Sequence, residues 1–178
     1  SDVCVTSSNA VKIVKALPNK NIFFIPDNNL GSFVKKQVPE KNVILNAGYC
    51  PIHAKIKAEQ LYEALEKHPN AMVLAHPECE QEVLAEADFI GSTADIIRYA
   101  EESCSYEFII CTEDGVDFKL TSDNPKKKFY YPEPRPCCAD MKLNTPESIL
   151  SVLKKENNEI LISDDVILTA MQPLKKML

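Results

Sequence analysis

The sequence lacks an excess of positive charge, a long apolar run and a regular cysteine spacing, and each absence removes a class of function. Lys and Arg number 20 against 26 Asp and Glu, a net charge of −6. Non-specific nucleic-acid binding needs clustered cations, so this balance argues against it. The single basic run, Lys126-Lys127-Lys128, reads as a solvated loop. No window approaches about 18 uninterrupted apolar residues, so no segment reads as a membrane-spanning helix. The opening SDVCVTSSNA has neither a basic start nor a following apolar core, and so is not a secretory leader. It has no Met and begins directly on an apolar run, so the N-terminal end reads as cut. The seven cysteines are odd in number and lack the spacing of a small secreted disulfide scaffold. A reducing, cytoplasmic setting follows, with thiols free or on a metal.

What is present alternates between two periods. Strands are expected at 3–6, 21–26, 42–47, 71–76, 88–93, 107–113, 129–134 and 159–163. Helices are expected at 7–17, with Ser7 or Ser8 as N-cap, and at 29–38, 54–68, 78–87, 93–103 and 145–157. Thr145 and Pro146 open the helix at 145–157 as N-cap and first residue. A last helix at 164–178 is expected to kink or break near Pro173. Short buried strands alternating with helices give an α/β fold, with parallel sheets covered by helices in three-layer α/β/α units.

The chain also matches itself. Shifted by 86 positions, Asp2 falls on Asp88, Ser7 on Thr93, and NIFFIPDN (21–28) on EFIICTED (107–114). Shifted by 88, Cys50 falls on Cys138 and AEQLYEAL (58–65) on PESILSVL (146–153). The fold is therefore expected to be pseudo-symmetrically repeated. Each copy places a hydroxyl after its first strand and a cysteine before its amphipathic helix.

Ligands of open parallel sheets sit beyond the carboxyl ends of the strands. The turns carrying Ser7, Cys50, Ser92-Thr93 and Cys138 are such ends, and pseudo-symmetry aims them at a common centre. Two thiols meeting there imply a disulfide or a metal, and the reducing setting favours the metal. Soft thiolates suit zinc or an iron–sulfur cluster. Neither Cys50 nor Cys138 belongs to a Cys-x-x-Cys pair, and widely spaced single cysteines fit a cluster better than a zinc knuckle. Cys4, Cys79, Cys104 and Cys111 read as small structural residues. His76 and Glu78 follow a strand end, a pairing suited to acid–base work or carboxylate binding. The competing possibility is that Pro77-Glu78 opens a helix and Glu78 serves its macrodipole. His53, three residues beyond Cys50, faces the same centre, whereas His68 reads as a helix-end residue. Ser7, Ser92 and Thr93 precede helices, as caps or as part of an anion site.

Taken together, DVCVTSSNAVKIV, IPDNNLGSFV, NAGYCPIH, AHPECEQEV, ADFIGSTADII and PCCADMKLNTPESI resemble the quinolinate synthase family. The resemblance implies three α/β/α domains around one [4Fe–4S] cluster, with one Cys from each domain. It implies condensation of iminoaspartate with dihydroxyacetone phosphate to quinolinate in NAD biosynthesis, with L-aspartate oxidase supplying the imine. Cys50 and Cys138 are then two cluster ligands, with Cys138 preferred over Cys137 because CADMKLN matches the family's last ligand motif. His53, His76 and Glu78 take catalytic roles, while Ser7, Asn9, Ser92, Thr93 and Met141 bind substrate. Residues 1–56 become the remainder of a second domain and 57–141 the third. Residues 142–178 become a C-terminal strand and helices that pack on an absent first domain. The third cysteine ligand falls upstream of position 1, so a chain without it is expected to lose the cluster and the activity. The alternatives are a non-catalytic cluster- or metal-binding scaffold and a small-anion-binding module.

Overall fold

The computed structural model describes residues 1–177. The chain divides into two compact units, one of residues 6–137 and one of residues 1–5 with 138–178.

The larger unit holds two parallel sheets. In the first, β1 (Asn21–Phe24) pairs with β2 (Asn42–Leu45), and α2 (Asn28–Gln37) lies between them in sequence. In the second, β3 (Met72–Ala75), β4 (Phe89–Ile90), β5 (Glu107–Cys111) and β6 (Lys128–Tyr130) are ordered β4-β3-β5-β6, all parallel. Alternation along β3 and β5 explains the layering, because successive side chains of a strand point to opposite faces. Val73, Ala75, Ile109 and Cys111 pack with Leu61 and Ala64 of α3 (Ala58–Lys67) and Val83 and Leu84 of α4 (Gln81–Ala85). Leu74, Phe108 and Ile110 pack with Ile96 and Ala100 of α5 (Thr93–Glu102) and Leu120 of α6 (Asp117–Asp123). Both faces are thus covered, which is why these strands read as continuous apolar runs. The fold is α/β, with short parallel sheets in a three-layer α/β/α arrangement.

The internal repeat is visible in register. Asn21 pairs with Asn42, and 86 positions on, Glu107 pairs with Lys128. The 88-residue offset carries the 3₁₀ turn His53–Lys55 onto Met141–Leu143, and α3 onto α7 (Pro146–Lys155).

Several expectations are corrected. Residues 3–6 form no strand. The first helix, α1, spans Ala10–Ala16 with Asn9 at its cap, so neither Ser7 nor Ser8 caps it. The reason is local: Asn9 Oδ1 accepts the Thr6 amide at 2.7 Å, and this turn occupies residues 6–9. Residues 159–163 are exposed and join no sheet among the described residues. In the smaller unit α8 (Asp164–Lys175) continues through Pro173, whose carbonyl accepts the Cys4 amide at 3.1 Å. A helix not expected from the sequence stands at 117–123, a stretch onto which the 86-residue offset maps α2. Cys104 is exposed, unlike Cys79 and Cys111, which are fully buried. The basic run is not a plain solvated loop either. Lys127 Nζ lies on the carbonyls of Ala100 and Ser103 at the C-terminal end of α5, and Lys128 pairs with Glu107 at 2.9 Å. Among the described residues no helix is long and apolar enough to cross a membrane.

Gly48 is required by close approach. A Cβ there would lie 2.4 Å from the Pro26 carbonyl oxygen, a backbone atom with nowhere to go. Gly48→Ala should therefore cost about 1–3 kcal/mol, the usual penalty for forced overpacking, read as a lowered urea midpoint with unchanged slope.

Candidate active site

The carboxyl ends of β3, β4 and β5 share one edge of the larger sheet, and the next residues along the chain are His76, Gly91-Ser92 and Thr112. His76 is fixed by its amide, which continues the ladder to the Cys111 carbonyl at 3.0 Å. Beyond it Pro77 and Glu78 turn before α4 begins at Gln81. Glu78 therefore lies outside that helix and does not serve its dipole. Its backbone carbonyl accepts the Asn29 side-chain amide at 3.0 Å.

The loop from β2 brings the remaining groups. Asp27, at the end of β1, accepts the Leu30 amide through Oδ1 at 2.8 Å and the Cys50 amide through Oδ2 at 2.7 Å. The same carboxylate thus caps α2 and anchors the turn holding Cys50. Asn28 N–H donates to the Gly48 carbonyl at 2.7 Å, closing that turn from the other side. Ala54 N–H then donates to the Cys50 carbonyl at 3.0 Å, and His53 opens a 3₁₀ turn.

These elements converge. The His53 and His76 rings stack with centroids 4.4 Å apart and an 18° interplanar angle. Glu78 Oε2 lies 3.0 Å from His53 Nδ1 and 3.9 Å from His76 Nδ1. The shorter approach is a close contact rather than an aligned hydrogen bond, since the buried Nδ1 has no partner of good hydrogen-bond geometry. The other nitrogen of His53, Nε2, meets Thr112 Oγ1 at 3.0 Å. The Glu78 amide donates to His76 Nδ1 at 3.3 Å. The Cys50 sulfur lies within 4.8 Å of the Glu78 carboxylate.

The electrostatics follow from burial and these contacts. Burial, with help from His53, lowers the pKa of His76 to about 4, so its imidazole is neutral near neutral pH. The His53 imidazole beside it holds the Glu78 carboxyl below its ordinary value, against the push of burial. Burial pushes Asp27 up, against the pull of the Leu30 and Cys50 amides. Burial also raises Cys111 to about 12 and Cys79 well above its ordinary value, which keeps both thiols protonated and unreactive.

Sulfur, nitrogen and oxygen donors of Cys50, His53 and Glu78 all lie within 4.8 Å of one another, close enough for one metal centre. Cys50 as a residue is only half-buried.

The other sequence-derived candidates are placed differently. Ser92 caps α5: its Oγ accepts the Asp95 amide at 3.2 Å and donates to Asp95 Oδ2 at 2.5 Å. Thr93 is the first residue of that helix. Ser7 and Asn9 sit in the turn before α1, where the Asn9 carbonyl oxygen is taken by Thr6. Cys138 and Met141 belong to the smaller unit, Cys138 half-buried and Met141 57% exposed. His68 caps the C-terminal end of α3 and stacks on Tyr130. Sequence reasoning missed Thr112 and Asp27. For Asp27 a signal existed, an Asp three residues before the first apolar position of a helix. Thr112 had none, being one polar residue after an apolar strand.

A family model described as quinolinate synthetase A protein matches residues 1–178. The chain belongs to this family. Similar proteins include quinolinate synthase of Caldicellulosiruptor saccharolyticus, 53% identical over 178 residues, all of this chain and 59% of the relative. Quinolinate synthase of Clostridioides difficile is 44% identical over 176 residues, 99% of this chain and 58% of the relative. That of Thermodesulfovibrio yellowstonii is 43% identical over 178 residues, all of this chain and 59% of the relative. The chain thus spans under two thirds of the length of these curated relatives.

The neutral state of His76 has a measurable consequence. The unfolded imidazole takes a proton near 6.5, while the folded one resists until about 4. Its contribution to stability is therefore full above pH 6.5 and falls as pH drops toward 4. The loss should reach the order of 3 kcal/mol. Urea midpoints between neutral and mildly acid pH should fall more steeply for the wild type than for His76→Gln.

Proposed function

We propose that this sequence forms part of a quinolinate synthase, which condenses iminoaspartate with dihydroxyacetone phosphate, releasing phosphate and water. The observation that carries the proposal is the convergence of Cys50, His53 and Glu78 donors within 4.8 Å in a chain of this family. In this reading Cys50 and Cys138 are two thiolate ligands of a [4Fe–4S] cluster. The resemblance assigns the third to a part of the family's length preceding position 1. The fit at Cys50 rests on a half-buried cysteine, a neighbouring buried imidazole nitrogen without an aligned partner, and a loop fixed by Asp27. When bound, the cluster supplies a Lewis-acidic iron to a substrate oxygen.

The chain's own groups do the rest. Glu78, held ionised beside His53, accepts a proton, and the His53 ring facing it keeps the carboxylate in place. Neutral His76 orients a substrate oxygen by hydrogen bonding. Ser92 and Thr93, at the N-terminal end of α5, hold a phosphate or carboxylate. Ser7, Asn9 and Met141 complete the substrate contacts. Residues 1–56 and 57–141 are the second and third domains of three. Residues 142–178, with Ile160, Leu161 and Leu168 all largely exposed, dock on the first. The enzyme is cytoplasmic and draws its imine from L-aspartate oxidase.

Anaerobic reconstitution with iron and sulfide, on a polypeptide of the relatives' full length containing this sequence, tests the assignment. A broad visible absorption band is expected, lost in Cys50→Ser and in Cys138→Ser and kept in Cys104→Ser. Retention of the band in Cys50→Ser would remove that residue from the ligand set.

A further inference from the structure

Thr112 follows β5, is fully buried, and places Oγ1 3.0 Å from His53 Nε2. On the other side of the same ring, Nδ1 faces Glu78 Oε2 at 3.0 Å. An ionised carboxylate only accepts, so the nitrogen facing it must carry the ring proton. The reverse arrangement would set a bare nitrogen lone pair against a carboxylate oxygen. A neutral His53 is then an acceptor at Nε2, and the group facing Nε2 must be able to donate. A hydroxyl can, and a carbonyl at that place would drive the proton to the wrong nitrogen. His76 obeys the opposite constraint. The Glu78 amide donates to its Nδ1 at 3.3 Å, which leaves the proton of the neutral ring on Nε2.

We propose that Thr112 is a positioning residue of this site. Its hydroxyl, across the ring from the Glu78 carboxylate, holds His53 with the proton on Nδ1, while the Glu78 amide holds the stacked His76 with the proton on Nε2. The two imidazoles are thus locked in opposite tautomers. Glu78 serves both, its carboxylate fixing one ring and its amide the other. The chemical consequence, which rests on the proposed function, is a division of labour. His53 and the Glu78 carboxylate form the proton-accepting pair. His76 is a hydrogen-bond donor through Nε2, suited to a carbonyl or carboxylate oxygen of an anionic substrate.

Long-range nitrogen–proton correlation NMR tests the tautomers directly, on this chain and without iron. The sequence has three histidines, and His68→Gln assigns the one outside the site. Above the imidazole titration range, the expected spectrum has His53 protonated on Nδ1 and His76 on Nε2. Thr112→Val should turn His53 into a mixture of tautomers, and Thr112→Ser should keep the wild-type pattern. The same tautomer at both wild-type rings overturns the proposal even if Thr112→Val fails to fold. So does an unchanged His53 in a folded Thr112→Val protein. In a polypeptide of the relatives' full length, Thr112→Val should lower kcat by about 10- to 100-fold, with KM within about threefold and Thr112→Ser restoring turnover. Opposite tautomers that respond to Thr112→Val without any change in kcat would uphold the positioning role and instead overturn the proton-accepting role given to the pair of His53 and Glu78.

Discussion

The candidate site depends on one buried carboxylate, both of whose oxygens are engaged by the backbone. Asp27 is 5% exposed and spends both oxygens on backbone amides, one of Leu30 and one of Cys50. Burying a carboxylate is costly, and the rise in its pKa shows that cost. Two charge-assisted hydrogen bonds, each worth roughly 1.5–3 kcal/mol, offset it. What they secure is a link between the ends of β1 and β2. Without it the Cys50 turn would be held by the Asn28 to Gly48 bond and by the Asn46 side-chain amide on the Pro26 carbonyl, both before Cys50, and the 3₁₀ turn carrying His53 would lose its fixed starting point. The stacked imidazoles need that starting point, because His53 reaches across from the first sheet's loops to the end of β5.

How legible each element is in the sequence follows from which forces act at its place. β3 and β5 were legible because both faces are buried, so Val73, Leu74, Phe108, Ile109 and Ile110 must all be apolar. The helix at 54–68 was legible from the spacing of Ile56, Leu61 and Leu65, although the true α-helix starts at Ala58 after the His53 turn. The segment at 117–123 was not, because Leu120 is its one buried residue and Asp, Thr and Ser give no strong helical preference. There tertiary contact with Phe108 and Ile110 decides the conformation. The segments at 3–6 and 159–163 failed in the opposite way. Their apolar residues fit a strand locally, but pairing in a sheet needs a partner strand, and none is present among the described residues.

For the site, residue types and strand ends picked out Cys50, His53, His76 and Glu78, and the structure brings these four together. Chemistry was legible because imidazole, thiol and carboxylate are rare at the tips of buried strands unless something holds them. Support was not legible. A hydroxyl such as that of Thr112 or a capping carboxylate such as that of Asp27 looks in sequence like any other polar residue after a strand. Only the path of a distant loop gives it a partner. Ser92 was legible as a cap, and the structure shows that cap on α5, with Asp95 returning the bond to its amide at 3.1 Å.

The internal repeat explains why such support was built this way. Asp27 and Glu113 occupy equivalent positions 86 residues apart, and Glu113, 6% exposed, likewise accepts a following amide, that of Gly115, at 2.7 Å. The backbone link recurs beside it: Asn28 N–H donates to the Gly48 carbonyl at 2.7 Å, and Asp114 N–H to the Pro136 carbonyl at 2.8 Å. In both copies a buried acid ends one strand, and the next amide ties down the turn that precedes a cysteine, Cys50 in one and Cys138 in the other. Backbone amides and carbonyls make these ties, so side chains around them are free to diverge. That is why the two copies share strand register and turn geometry while sharing few residues. Only one of the two cysteine turns is followed by a histidine, for at the place of His53 the second copy carries Met141. The duplicated frame thus supplies the cysteine turn twice, and a histidine stands three residues beyond the cysteine in the first of the two.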